Sequence, residues 1–412
     1  MTLPHSSIRS YVTLPIALDP LKEKNFGFLW MGAFLSSIGF WVQAVGQAWQ
    51  ILQLTNSALL LGLVGFTATL PNIILALFGG VIADRFDRRR LLMATQSIFM
   101  STAALLGILT TLHIITVWQI ILMALINGTF NTVGLPAWQA FIGDLVQQEQ
   151  FKQGIALNSM QFNLSRVIGP AIGGISISMF GMAGSYYLNA VSYLAVIIPL
   201  VLMRPAQKQL TSQQQSIWLG LREGFSYVRR RPALQMILRL QFVIAFLVFP
   251  YSILLPVFAR DIFHVGATGL GMMNAAAGIG ALTGSILLVL LCQHLKGGRG
   301  LLMTLCIIGG FMSLAFCLSH DLEISLLILV VLGSCTAMST TISSTTLQIL
   351  TPEGMRGRIL SLWVMITLGM APFGNLLAGW VAQSIGAPLT LAIGGSLCST
   401  VAVFLGVIKK AT

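Results

Sequence analysis

This sequence predicts an all-α membrane protein of about twelve transmembrane helices, arranged as two pseudo-symmetric six-helix bundles. Three observations carry that expectation. Long uncharged apolar runs recur along the chain, basic residues fall on alternate polar connections, and the second half echoes the first. With 56% hydrophobic and 8% charged residues over 412 positions, the chain has too little polar surface for a soluble fold. Its net charge of +12 would suggest nucleic acid in a soluble protein. Here Lys and Arg facing anionic headgroups account for the excess, so no nucleic-acid partner is expected and the bilayer is.

A helix needs about 20 apolar residues to cross the hydrocarbon core. Runs of that length fall near 26–52, 58–82, 91–111, 115–142, 156–180, 185–203, 233–259, 267–293, 301–319, 323–350, 358–384 and 387–408. Of the 23 basic residues, 20 sit before span 1, after spans 2, 4, 6, 8 and 10, or at the C-terminus. Arg260 alone falls on the opposite side, and Arg166 and Arg239 lie inside spans. That bias predicts a multi-pass plasma-membrane protein with both termini cytoplasmic, which requires an even number of spans. The first 20 residues hold only a short apolar patch, Tyr11 to Leu18, so no removable signal peptide is expected.

Span 1 carries Gln43, Gln47 and Gln50 at i, i+4 and i+7, on one helical face. Span 4 carries Asn127 and Asn131, four apart. Such amides either join helices, at about 0.6 kcal/mol each, or face a substrate. Between spans 2 and 3 stands a burst of charge, Gly80-x-x-x-Asp84-Arg85-x-x-Arg88-Arg89. Its glycine permits close helix approach, and Asp84 is suited to a helix N-terminus or an arginine. Arg166 lies near the middle of span 5, where an arginine costs on the order of 3 kcal/mol to insert, so it should face the bundle interior or a wet cavity. After Ser165 follow Gly169, Pro170, Gly173 and Gly174: a flat face for tight packing, with a proline that removes one backbone donor.

The segment 204–232 differs from the rest. A polar patch, Thr211 to Gln215, precedes Ile217, Trp218, Leu221, Phe225 and Val228 at helical spacing among arginines, which reads as an amphipathic surface helix ended by Pro232. It divides the chain into a first bundle (1–203), a linker (204–232) and a second bundle (233–412). The halves match: Ser159 and Ser361, and Pro170 and Pro372, are each 202 positions apart. Parallel repeats with a site between them are a transporter architecture. In the second half Phe249 and Tyr251 flanking Pro250, Gln348, Trp363 and Asn375 are further candidate substrate contacts.

All eleven acidic residues lie in connections or at span ends, so no mid-membrane carboxylate is available as a proton relay. A cavity holding Arg166 and no acid should prefer anionic or neutral amphipathic molecules over cations. The five cysteines lie in the second half without Cys-x-x-Cys spacing, and the histidines lack ligand spacing, so no disulfide framework, metal or cofactor is expected. Phosphate-binding, zinc-protease and nucleophile-elbow motifs are missing, and no enzyme is expected.

The charged loop resembles the signature between helices 2 and 3 of the major facilitator superfamily, with Asp87 where the family usually places Gly. The Ser165 to Gly174 run is similar to the span 5 motif of its drug-efflux members. Asn25-Phe26-x-x-Leu29-Trp30, Ala156-Leu157-Asn158-Ser159, Phe249-Pro250-Tyr251 and Arg356-Gly357-Arg358 resemble the branch of bacterial siderophore and macrolide exporters. The resemblance implies a monomeric exporter of a small siderophore-like or drug-like molecule, working by alternating access and proton antiport. It further implies that Asp84 packs against the start of span 11 near Arg356, and that the loop arginines reach Asp144 to close the cytoplasmic side. An importer, a facilitator or a lipid flippase would share the architecture.

Overall fold

Helix follows helix with scarcely a connection longer than a turn, because inside a bilayer every backbone N–H and C=O must find its partner within the segment. The computed structural model describes residues 18–203, 217–291 and 298–408. The side chains of Ile74, 76–85, 217–221, Val289, Leu291 and 407–408 lie outside that description. With them go the side-chain roles expected of Gly80, Asp84 and Arg85, and the apolar positions Ile217, Trp218 and Leu221.

Among the described residues ten helices are long and apolar enough to cross a membrane. One of them, Gln148–Leu202, is 55 residues long and doubles back at Gly181, so it forms spans 5 and 6. Ala58–Arg85 supplies span 2 and completes the expected twelve. The others are span 1, Lys24–Thr55; span 3, Arg88–Thr111; span 4, Val117–Leu145; span 7, Pro232–Ile262; span 8, Gly266–Leu291; span 9, Gly298–Leu318; span 10, Leu322–Leu350; span 11, Glu353–Ile385; and span 12, Ala387–Ile408. Their ends agree with the apolar runs to within a few residues.

The two ends of the molecule are built differently. Among the described residues the six with positive φ (Asn56, His113, Gly181, His264, Gly266 and Gly386) sit in hairpin turns at the end away from the basic clusters. There a left-handed residue reverses the chain at once, as Gly181 does at φ 68° and ψ −176°. The basic end carries the linker instead. Its helix, Ile217–Arg229, docks on the start of span 11 through a 2.5 Å ion pair between Glu223 and Arg358. Gly224 lies under the Arg358 carbonyl, Val228 is buried and Phe225 is exposed.

Within the bundles the tightest contacts are span 1 with the hairpin of spans 5 and 6, and the pairs 2 and 4, 8 and 10, and 9 and 12. Lipid tails are as apolar as leucine, so these contacts rest on close packing rather than on the hydrophobic effect. Glycine makes the packing close: a methyl at Gly280 would overlap the Val330 carbonyl, and one at Gly333 the Ala277 carbonyl.

Between the bundles spans 5 and 8 and spans 2 and 11 meet, in both cases along the half remote from the basic end. Pro170 has no N–H for the Arg166 carbonyl, and that freed oxygen faces Gly278 of span 8. Gly271 packs on the Pro170 carbonyl, Gly174 on the backbone of Thr268, Gly62 on the Asn375 carbonyl and Gly379 on the Ala58 carbonyl. The same device recurs inside the second bundle, where Pro250 frees the Phe246 carbonyl and Gly374 covers it. Toward the basic end the seam parts. At the start of span 11 a methyl on Gly354 or Gly357 would meet nothing within 4 Å, and Ser159, Met160, Ile286, Leu290, Thr345 and Gln348 are exposed.

Substituting Gly280→Val or Gly333→Val is expected to destabilise the purified protein by at least the 1–3 kcal/mol typical of overpacking, whereas Gly354→Ala should be neutral. Thermal unfolding in detergent, followed by intrinsic fluorescence, measures both. A Gly333→Val variant that melts with the wild type would contradict the packing.

Candidate functional site

The deepest point of the parted seam holds Arg166. Span 5 presents it one turn before Pro170, where the helix is pinned against span 8 by the Gly278 contact and against span 1 by Gly169, whose Cα abuts the Trp41 side chain. The guanidinium is half-buried. Among the described residues it has no carboxylate or hydrogen-bond partner; it lies over the Trp41 ring, 5.9 Å from Cζ to centroid. Trp41 in turn contacts Phe162 at 6.0 Å and Phe40 at 5.4 Å, and its indole N–H is buried without an acceptor. Buried Tyr251 of span 7 lies within electrostatic reach of Arg166 from the other bundle. The arrangement offers an unpaired cation and an unpaired N–H donor, which together suit an acceptor-rich anion.

The predicted amides divide into two groups. Gln43 accepts from Asn189 at 2.7 Å and reaches Gln47 at 3.5 Å; Gln50 accepts from the Tyr186 hydroxyl at 2.6 Å and donates to Thr110 at 3.0 Å. Asn127 accepts from Thr102 at 2.8 Å. These bonds join spans 1, 3, 4 and 6 inside the first bundle. Gln47 is half-buried, and Asn131 and Gln348 are exposed. In the second bundle the Trp363 N–H donates to Ser343 at 2.8 Å, and Ser343 to buried Gln241 at 2.9 Å, tying spans 11, 10 and 7. Phe249 packs on the second bundle's core, and Asn375 sits in the seam with its amide nitrogen beside Gly65.

At the basic end the charges are ordered. The same Arg88 nitrogen reaches both Asp144 oxygens, at 2.9 and 2.8 Å, and both side chains are largely buried. This is the reach toward Asp144 that the resemblance implied, and it stays within the first bundle. Asp87 caps span 3 by accepting from the Arg90 N–H at 2.8 Å, which a glycine could not do. Arg89 donates to the Leu200 and Val201 carbonyls at the end of span 6, and Arg356 to the Gln348 and Thr351 carbonyls at the end of span 10. A cation at a helix C-terminus is stabilised by the helix dipole. Gly173 packs on Val42 of span 1, so Gly169 and Gly173 serve the contact with span 1 while Pro170 and Gly174 serve the one with span 8.

The opposite end holds a contact that the sequence reading passed over. Arg260, at the end of span 7, donates to the Leu52 carbonyl at 2.9 Å and to Asn56 Oδ1 at 2.6 Å, both at the end of span 1, while Asp261 holds it at 2.5 Å. It therefore clasps one bundle to the other. The signal was present: it is the lone basic residue outside the basic end and the spans. Among the described residues no group of three His, Cys, Asp or Glu could hold a metal ion.

A family model described as transmembrane secretion effector matches residues 16–410. The chain belongs to that family, within the major facilitator superfamily of transporters. It is 25% identical over 378 residues to the staphyloferrin A transporter of Staphylococcus aureus, covering 90% of this chain and 94% of the relative. It is 27% identical over 388 residues to the enterobactin exporter EntS of Shigella boydii, covering 93% and 90%. To the multidrug efflux pump Tap of Mycolicibacterium fortuitum it is 24% identical over 388 residues, covering 90% and 93%. Among solved structures, the nucleoside transporter NupG superposes with a TM-score of 0.73 at 14% identity, covering 94% of this chain and 99% of that one. A bacterial homologue of the lysosomal transporter Spinster, inward-facing and occupied, gives 0.73 at 13%, covering 95% and 98%. These likenesses establish the two-bundle fold, and the family establishes a transporter rather than an enzyme.

Breaking the Arg88–Asp144 pair with Asp144→Asn is expected to cost about 3 kcal/mol, because it strands a largely buried guanidinium. The exchange Arg88→Asp with Asp144→Arg should recover part of the loss. Chemical denaturation of the three variants checks it; an unchanged midpoint for Asp144→Asn would remove the pair from the stability account.

Proposed function

We propose that this protein exports a small amphipathic molecule, siderophore-like or drug-like and neutral or anionic, from the cytoplasm of a bacterium across its plasma membrane. The observation that carries the reading is Arg166, an unpaired guanidinium at the apex of a seam among whose described residues no carboxylate lies deep in a span. An arginine there is costly, and a substrate anion that pairs with it offsets part of the cost. The names of the relatives support efflux of siderophores or drugs, and the secretion-effector description favours export over import.

The mechanism we propose is alternating access. The positive-inside bias supports a cytoplasmic position for the parted end of the seam, and on that reading this arrangement is the one that loads substrate. Export then requires the contacts of spans 2 with 11 and 5 with 8 to open at the outer end while the basic end closes. Arg260 is the outer latch, since its bonds to span 1 must break for the bundles to part. The charged loop at Asp84, Arg85 and Arg88 is the inner one, held in shape by Asp144. Protons are the coupling ion, and the monomer is the working unit. Export of catecholate and hydroxamate siderophores, macrolides and lipophilic cations, compared in cells with and without the protein, tests the substrate class; flux in inverted vesicles tests the direction.

Two outcomes are expected. Arg166→Gln should reduce transport of an anionic substrate about 10- to 100-fold, the worth of a hydrogen-bonded charge, and spare a neutral one. Tighter binding of a lipophilic cation than of its anionic isostere by the wild type would sink the reading. Arg260→Ala should shift the population toward the outward-open state. Labelling of a cysteine introduced in place of Thr268, whose side chain already sits in the outer seam against the Gly174 carbonyl, would then quicken several-fold, and unchanged labelling would leave Arg260 without a latching role.

A further inference from the structure

A second polar recess opens beside the seam, inside the first bundle and on the basic side of Arg166. It encloses about 410 Å³, within the range of ligand pockets. Spans 1, 3, 4, 5 and 6 line it, with Ser36, Gln96, Trp138, Asn158, Gln161 and Phe162 prominent and no charged residue. Two of its side-chain oxygens, Gln96 Oε1 and Gln161 Oε1, are buried and have no hydrogen-bond partner; Gln161 is only 4% exposed.

The orientation of Gln161 is fixed by chemistry. The Trp138 indole N–H can only donate, and it donates to Asn158 Oδ1 at 3.0 Å, which sets the Asn158 amide. Gln161 must then present its own Nε2 to that oxygen, which it does at 3.5 Å. Its carbonyl oxygen is left over, without a donor among the described residues. A buried unpaired acceptor costs about 1–3 kcal/mol, and a donor brought by a ligand would relieve it.

We propose that this recess is a subsite for an uncharged, hydroxyl-bearing ring of the transported molecule, with Gln161 and Gln96 accepting from the hydroxyl and Trp138 and Phe162 flanking the ring. It rests on the reading of Arg166 as the anion site. Phe162 joins the two places by touching Trp41, whose ring lies against Arg166. Gln161 precedes Arg166 by five residues, about 8 Å along a helix. The substrate is therefore bipartite, with a carboxylate-like anion at one end and a hydroxylated ring at the other. A hard cation is disfavoured, since such ions want about six oxygens, carboxylates among them.

The test uses 4-hydroxyhippurate and 4-methoxyhippurate, which carry the carboxylate and the ring substituent at opposite ends and differ only in the donor. Binding to the full-length protein in nanodiscs is followed by calorimetry. The wild type is expected to bind the phenol about tenfold more tightly than the methyl ether. Gln161→Leu should bring the two within twofold without weakening the ether. Trp138→Phe, which frees Asn158 and Gln161 to turn, should reduce the preference while leaving Gln161 in place. Arg166→Gln should weaken both probes equally and keep their ratio, so the anion reading fails separately if that variant binds both as the wild type does. A wild type that binds neither probe, or does not distinguish them, overturns the subsite. So does a preference that survives both Gln161→Leu and Trp138→Phe, which would mean the recess holds water only.

Discussion

Backbone-to-backbone contact through glycine is the constraint on which this molecule depends. In a lipid solvent, burying leucine against leucine gains little, so two bundles cohere only where their main chains come close enough for dispersion and weak Cα–H···O contacts to accumulate. Gly62, Gly271, Gly278 and Gly379 supply that approach, each set against a carbonyl of the other bundle. Proline supplies the other half at one of them. By withholding its N–H, Pro170 turns the Arg166 carbonyl outward, and Gly278 receives it. Such a seam is firm when closed and carries no covalent or ionic commitment along its length, which is what a contact that must open and close requires.

Charge is kept to the margins of that seam. At the basic end arginines cap the carbonyl ends of spans 6 and 10, and Arg88 holds Asp144, so the loop between spans 2 and 3 is braced within one bundle. At the other end Arg260 crosses between bundles. Packing at mid-seam and a charged crossing at one rim divide the work: glycines set how closely the bundles approach, and the arginine ties the rim away from the basic end.

Much of this was legible in the sequence for a simple physical reason. Spanning length and positive-inside bias are one-dimensional signals, so the twelve spans follow from counting residues, even where Gly181 folds spans 5 and 6 into a single helical trace. The site was less legible, because an amide in a span has two possible partners and sequence does not say which. Gln43, Gln50 and Asn127 turned out to bond neighbouring helices, since Asn189, Tyr186 and Thr102 stand opposite them. The contacts of Trp41, Gln96, Gln161 and Arg260 were not foreseen because their meaning depends on what lies across a helix contact. Only Arg260 left a trace, as the exception to the charge bias. Arg166 stood out because an arginine in mid-span is expensive wherever it points.

The lack of a mid-span acid among the described residues bears on how such a site releases its cargo. A guanidinium paired to a resident carboxylate would present no net charge and hold no anion. Arg166 instead leans on the Trp41 ring, a contact worth about 0.5–2 kcal/mol, which steadies the cation without neutralising it. In the proposed mechanism that is weak enough to yield to an arriving anion and strong enough to receive the arginine when the anion leaves. The ring also contacts Phe162, at the edge of the neighbouring recess, so movement of the arginine and occupancy of the recess act on one side chain. In the mechanism we propose, coupling between the two ends of a bipartite substrate needs no distant relay: it runs through a single indole.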